Sequence, residues 1–133
     1  MTDHLKELKE KFNTCDLFPK SLGIELQELA PGHACLCMTV QENMSNFHGT
    51  THGGAIFTLA DTAFALACNS YGTPAVALSV TIDYFVPAKP GDRLVAIAEE
   101  VQRTRRTGSY HITVNANDET RIAFIRGLAF IKS

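Results

Sequence analysis

The stretch from residue 43 to residue 82 is nearly free of charge, and this feature limits the possible folds more than any other. Charged residues make up 20% of the chain, so a stretch of this length should hold about eight of them. It holds one, Asp61. Such a stretch is a membrane segment, a buried core with one paired acid, or an active site.

Turn-forming residues within the stretch argue against a membrane segment. Residues 62–82 are uncharged over 21 positions, which is long enough to span a bilayer. The run at 69–74, Asn-Ser-Tyr-Gly-Thr-Pro, interrupts it with residues that favour turns. Residues 1–11 mix acidic and basic side chains and lack the apolar region of a signal peptide. We therefore expect a cytoplasmic protein that does not bind membranes.

Length and composition predict one domain over residues 1–133, a size at which folding buries about two thirds of the chain's surface. The formal charge of -2 argues against nucleic-acid binding. The four cysteines form no CxxC pair, which favours a reducing compartment. His33, Cys35 and Cys37 alternate on one strand face. On an extended strand the first and last lie about 13 Å apart, too far to share one ion, so no metal site is expected.

Hydrophobic periodicity predicts two helices and six strands. The helices are expected at 2–14 and 52–69, and the strands at 22–29, 33–40, 76–86, 93–103, 109–117 and 121–131. Short connections imply that consecutive strands are antiparallel neighbours. The pattern predicts an α+β fold in which one antiparallel sheet of five to six strands wraps a single buried helix. One helix cannot cover both faces of a sheet, and edge strands stay open, so we expect an oligomer.

The helix at 52–69 begins with the tripeptide His52-Gly53-Gly54, and Thr50 or Thr51 can cap it. The first N–H groups of a helix lack internal acceptors and lie at the positive end of its dipole. Glycines let a ligand approach these donors closely, which suits an anion or a developing oxyanion. A tight entry into the helix, with His52 as a core residue, is the structural alternative.

Asp61 lies about two turns into the same helix, with no basic residue within a turn or two of it. An acid in apolar surroundings has a raised pKa and suits general-base catalysis. A structural acid paired with a distant arginine is the alternative. Asp61 is about 10 Å along the helix axis from Gly54, too far for one reacting carbon to meet both. If the two act together, Asp61 must come from a second subunit.

Two further sets of polar residues are candidates. Arg103, Arg105 and Arg106 surround a turn between predicted strands, where guanidinium groups bind phosphate or are simply solvated. Ser79 lies on a predicted strand and faces either the helix or solvent.

These residues together resemble the hotdog-fold thioesterases, and among them the phenylacetate-degradation (PaaI) group. The matching motifs are Asn46-x-His48-Gly49-x-x-His52-Gly53-Gly54, Leu59-Ala60-Asp61-Thr62 and Thr81-Ile82-Asp83-Tyr84-Phe85. The resemblance covers about residues 20–131, and the spacing from the asparagine through the His-Gly-Gly to the aspartate is its specific part.

The resemblance implies hydrolysis of an acyl-CoA thioester, in which coenzyme A is part of the substrate and no separate cofactor is needed. It implies Asp61 as general base or nucleophile and the Gly53 N–H as oxyanion donor. Asn46 is expected to position the water or the carboxylate, and His52 to shape the helix entry. Supporting roles are implied for Gly54, Ser79 and Thr62.

The resemblance also implies an assembly of dimers that join their sheets and pair again into dimers of dimers, with the active site at the dimer interface. The phosphates of coenzyme A would then suit the turn at 103–106. The expected substrates are aryl or arylacetyl thioesters, such as phenylacetyl-CoA or its hydroxylated forms. A hydratase or dehydratase of the same fold and a non-catalytic acyl-CoA-binding protein stay open as alternatives.

Overall fold

The computed structural model describes residues 2–132. Its helices are α1 (Asp3–Cys15), α2 (Leu17–Ser21) and α3 (Gly53–Cys68), with a 3-10 turn at Glu42–Met44. Its strands are β1 (Glu25–Ala30), β2 (His33–Thr39), β3 (Ala75–Tyr84), β4 (Arg93–Arg103), β5 (Thr107–Ala116) and β6 (Thr120–Ile131). None of the helices in this part of the chain is long and apolar enough to cross a membrane.

The six strands form one antiparallel sheet in the order β1-β2-β4-β5-β6-β3. The expectation that consecutive strands are neighbours holds for β4, β5 and β6 but is wrong for β3 and β4, because β3 pairs with β6. The connection between β3 and β4 spans residues 85–92. It is longer than a usual hairpin loop, so it can carry the chain from the sheet edge to its middle.

Helix α3 packs against one face of the sheet and contacts all six strands. Its core side is fully buried at Leu59, Ala60 and Ala63, as expected for a helix that is apolar nearly all round. A Cβ atom at Gly127 of β6 would lie 2.8 Å from the ring of Phe64, so only glycine lets the strand approach the helix this closely. The fold is the α+β hotdog arrangement that the sequence predicts.

Two neighbouring surfaces of the chain carry exposed apolar groups. The outer side of α3 leaves Gly54 and Ala65 exposed and Asp61 half-buried. The edge strand β3 exposes Val76 at 45% and Leu78 at 59%. Because β3 lies at the sheet edge, the hydrogen-bonding groups on its outer side have no strand partner within residues 2–132.

Candidate active site

The N-terminus of α3 is capped by a histidine side chain rather than by a threonine. Nδ1 of His52 accepts a hydrogen bond from the N–H of Gly54 at 2.9 Å, so the expectation of a Thr50 or Thr51 cap is wrong. The carbonyl of His52 accepts from the N–H of Ala55 at 3.0 Å. The N–H of Gly53, which precedes these two bonded N–H groups in the chain, makes no hydrogen bond to any described residue. It is the one N–H of this tight turn that is left for a ligand.

Tyr84, at the end of β3, fixes the position of Gly53. Its hydroxyl donates a hydrogen bond to the Gly53 carbonyl at 3.0 Å. A Cβ atom at position 53 would lie 3.1 Å from that hydroxyl oxygen, so the ring packs where a side chain would otherwise stand. Sequence reasoning assigned no role to Tyr84, although the tyrosine stands in a motif shared with the hotdog-fold thioesterases.

An open cleft of about 270 Å³ borders Gly53 at the start of α3. The residues that line it are Thr50, Thr51, Gly53, Ile56, Tyr84, Phe85, Val86 and Pro87. Oγ1 of Thr51 is buried at this cleft and has no hydrogen-bond partner among residues 2–132. The cleft therefore has mainly apolar walls and borders the glycine whose N–H has no hydrogen-bond partner among the described residues.

Asn46 builds the loop that precedes α3. Its Oδ1 accepts from the N–H groups of His48 at 2.9 Å and Thr50 at 3.2 Å, and its Nδ2 donates to the Thr50 hydroxyl at 3.0 Å. An asparagine that bonds the backbone two and four residues ahead holds a compact turn. Within one chain, Asn46 thus sets the conformation through which the backbone enters the His-Gly-Gly turn.

Asp61 has no hydrogen bond or ion pair to any described residue, although it is half-buried. Burial raises the pKa of its carboxyl, and the charge of Asp16, just after α1, raises that pKa further. No arginine or lysine compensates it, so the distant partner that a structural acid needs is missing from residues 2–132. The sequence did not single out Asp16, because its approach to Asp61 depends on how α1 packs on α3.

Two of the supporting candidates, Thr62 and Ser79, make no hydrogen bond to Asp61 within one chain. Thr62 is buried, and its hydroxyl donates to the carbonyl of Thr58 at 2.6 Å. Ser79 is exposed on β3, next to an irregularity in the pairing with β6.

The three candidate arginines differ in their surroundings. The Arg103 guanidinium stacks on the ring of Tyr71 at 4.0 Å, and its buried Nη1 has no hydrogen-bond partner among the described residues. Arg105 and Arg106 are exposed in the turn between β4 and β5. The structure therefore leaves two of the three freely accessible.

The main candidate residues fall into two groups along α3. Asn46 lies in the loop before the helix and His52, Gly53 and Gly54 lie at its N-terminus, where Gly53 lines the cleft with Tyr84. Asp61 lies on the outer side of the helix and does not line that cleft. Within residues 2–132, no group of three or more His, Cys, Asp or Glu side chains has an arrangement that could hold a metal ion.

A sheet wrapped around one helix defines the hotdog fold, and the unbonded N–H at the helix start and the uncompensated carboxylate farther along are groups of the kind that hydrolysis can use. The sequence profile of the Thioesterase superfamily matches residues 48–123, and the chain belongs to this superfamily of thioester hydrolases.

Among its relatives, the chain is 43% identical over 112 residues to the acyl-coenzyme A thioesterase PaaI of Escherichia coli, covering 84% of this chain and 80% of that one. It is 36% identical over 106 residues to human acyl-coenzyme A thioesterase 13, covering 77% and 76%.

Solved structures agree with these matches. The structure of E. coli PaaI superposes with a TM-score of 0.94 at 37% identity, over 98% of this chain and 94% of that one. A Streptococcus mutans protein solved with bound acetyl-CoA superposes with a TM-score of 0.79 at 29% identity, over 83% and 89%. The fold and the enzyme class that the sequence predicts are both confirmed.

Proposed function

We propose that this thioester hydrolase cleaves acyl-CoA to the free acid and coenzyme A at a site shared by two subunits. The Gly53 N–H of one subunit binds the thioester oxygen, and Asp61 of the other activates the attack. The observation that carries the proposal is the pair of unused groups on α3, the unbonded Gly53 N–H and the uncompensated Asp61 carboxylate.

The chemistry requires few groups because a thiolate is already a good leaving group. In the general-base route, Asp61 takes a proton from water as the water oxygen bonds to the thioester carbon. The carbonyl oxygen gains negative charge and is stabilised by the Gly53 N–H. The tetrahedral intermediate then expels the coenzyme A thiolate, which takes the proton from the Asp61 carboxyl, and the free acid and the thiol leave. In the nucleophilic route, an Asp61 carboxylate oxygen bonds to the thioester carbon and the C–S bond breaks, which releases the coenzyme A thiolate. Water then hydrolyses the mixed anhydride, which frees the acid and restores the Asp61 carboxylate, and a proton from that water goes to the thiolate.

The neighbouring polar residues act as positioning residues in this proposal. Asn46 holds the loop and orients the water or the carboxylate, while His52 caps the helix so that the Gly53 N–H points outward. Gly54 keeps the approach to that donor open. Ser79 and Thr62 support the reacting water and the Asp61 segment, respectively.

Two separate observations favour a second subunit. Asp61 and Gly53 belong to one helix, and about 12 Å of helix axis separates residues eight positions apart. The outer side of α3 and the edge strand β3 together expose apolar groups, including Leu78 at 59%, that pairing of two sheets would cover. We propose a homodimer joined through these surfaces and a dimer of dimers.

In this proposal, the turn between β4 and β5 binds the phosphates of coenzyme A. Arg105 and Arg106 are exposed there and carry unpaired guanidinium groups among the described residues. Arg103 belongs to the same cationic turn, although its stacking on Tyr71 makes it the most constrained of the three. The acyl group is proposed to be aryl or arylacetyl, such as phenylacetyl.

A thiol-release assay tests the proposed activity. Wild type and Asp61→Ala are compared with short-chain, long-chain and aryl acyl-CoA substrates. Removing the base is expected to lower kcat by about 10²–10⁴-fold while the protein stays folded. Equal thiol release by both proteins would overturn the role of Asp61.

A further inference from the structure

A second open cleft, of about 270 Å³, lies between α1 and α3. Its walls are formed by Leu8, Lys11, Phe12, Cys15, Asp16, Ala65, Leu66 and Asn69. The active-site residues described above do not line it.

The interior of this α1–α3 cleft is apolar. Phe12 of α1 and Leu66 of α3 both line it and are buried. The side chain of Asn69 is already engaged, because its Nδ2 donates to the carbonyl of Ala75 at 3.0 Å and its Oδ1 accepts from the Ala75 N–H at 2.9 Å. The charged groups of Lys11 and Asp16 are exposed. An occupant that buries itself here must be apolar, because the walls leave it few hydrogen-bonding groups.

The α1–α3 cleft is continuous with the surface that carries Asp61. Ala65 follows Asp61 by one helical turn on the same side of α3, about 6 Å along the axis. Helical side chains lean toward the N-terminus, so Ala65 covers the surface directly beside the aspartate. Asp16 lies on the other wall and is close enough for its charge to act on Asp61.

We propose that the α1–α3 cleft binds the acyl arm of the thioester and makes the enzyme selective for an aromatic ring or a medium-length chain. This assignment rests on the proposed function, since the reacting carbonyl must lie beside Asp61. The acyl arm starts at that carbon, and the cleft begins within one helical turn of it. A cavity of about 150 Å³ accommodates benzene, so the α1–α3 cleft has room for a ring and its linking methylene.

The pantetheine arm of coenzyme A fits this cleft less well. Pantetheine carries two amides that need hydrogen-bond partners when they leave water. The walls of the α1–α3 cleft supply mainly hydrocarbon and an asparagine that is already bonded. The apolar walls of the cleft therefore favour the acyl arm over the pantetheine arm.

The test is to fill the cleft from α1, outside the surface of α3 that the proposed dimer covers. Leu8→Phe and Cys15→Leu each add bulk at a position that lines the cleft. Each variant is assayed for kcat/KM with phenylacetyl-CoA, octanoyl-CoA and acetyl-CoA. Glu10→Leu, on the exposed side of α1 and outside the cleft lining, is the control.

Both filling variants are expected to lower kcat/KM for phenylacetyl-CoA and octanoyl-CoA by about tenfold or more, because each buried methylene is worth about fourfold. Acetyl-CoA hydrolysis and the Glu10→Leu control should stay within about twofold of wild type. Equal losses with all three substrates would assign the cleft to pantetheine and overturn the proposal, as would no loss in either variant. Both results would leave the proposed function intact. A wild-type protein that releases thiol from none of the substrates would overturn the proposed function and this assignment together.

Discussion

The ring of Tyr84 packs against Gly53 so closely that even a methyl group at position 53 would lie 3.1 Å from the phenol oxygen. Two properties of this glycine follow. The residue has no side chain that could block a ligand, and its carbonyl is held by the tyrosine hydroxyl at 3.0 Å. The orientation of the peptide next to the proposed oxyanion donor thus depends on a residue 31 positions away.

Tyr84→Phe removes the hydroxyl and keeps the ring. We expect kcat to fall by about 2–10-fold with little change in KM, because one hydrogen bond of about 0.5–1.5 kcal/mol no longer holds the donor in place. The measurement is steady-state kinetics with phenylacetyl-CoA.

The matched control for this prediction is Tyr71→Phe. It removes a hydroxyl that donates to Glu100 at 3.1 Å, at the opposite end of α3, and it keeps the ring on which Arg103 stacks. This control should retain the wild-type kcat. Equal effects of the two variants would show that Tyr84 contributes only to the stability of the fold.

For single residues, the sequence predicts which side chains and N–H groups are candidates for the site better than it predicts their contacts. The donor at Gly53 and the acid at Asp61 follow from local patterns, namely glycines at a helix start and one charge in an apolar run. The cap that His52 forms and the hydrogen bond from Tyr84 cannot be predicted from such local patterns. A histidine is an uncommon cap, and the tyrosine reaches Gly53 only through the packing of β3 on α3.

Helices and strands with a clear hydrophobic pattern in the sequence have nearly the predicted bounds. α3 covers 53–68 where 52–69 is predicted, and β4 covers 93–103 as predicted. The five-residue helix α2 is too short for periodicity to reveal, and its exposed Leu17 and Phe18 form no repeating pattern. The pairing of β3 with β6 could not be deduced because it joins strands that are distant in the chain.

The packing of α1 on α3 affects how kcat/KM depends on pH. Burial, followed by the charge of Asp16, raises the pKa of Asp61. A base acts only when ionised, so kcat/KM is expected to fall as the pH drops through this raised pKa. The acid limb of the profile should therefore lie at higher pH than for an ordinary aspartate.

Asp16→Asn removes the second of these two causes. We expect the acid limb to move to lower pH, because loss of a nearby negative charge favours ionisation of Asp61. Asp3→Asn, in the first turn of α1, removes the same charge at the far end of the helix and should leave the limb in place. The measurement is kcat/KM against pH. A limb that moves equally in both variants would show an effect of net charge rather than of Asp16.

In the proposed whole molecule, one chain contributes one half to each of two active sites. The donor end and the acid of α3 lie on one rigid helix, and only the donor end lines the Tyr84 cleft. The charge-poor run predicts a buried helix and an acid without a local partner, but the arrangement of subunits stays a prediction, since an interface depends on shape as well as on composition.

Subunit complementation tests this claim most directly. Asp61→Ala and Gly53→Val, a variant whose side chain fills the space beside Tyr84, are each expected to lose activity. In a symmetric dimer with shared sites, a mixed dimer contains one site with both changes and one intact site. Co-expression in equal amounts makes half of the dimers mixed, so the thiol-release assay should recover about a quarter of the wild-type activity. Activity no higher than that of either variant alone would contradict a shared site and assign the whole reaction to one chain.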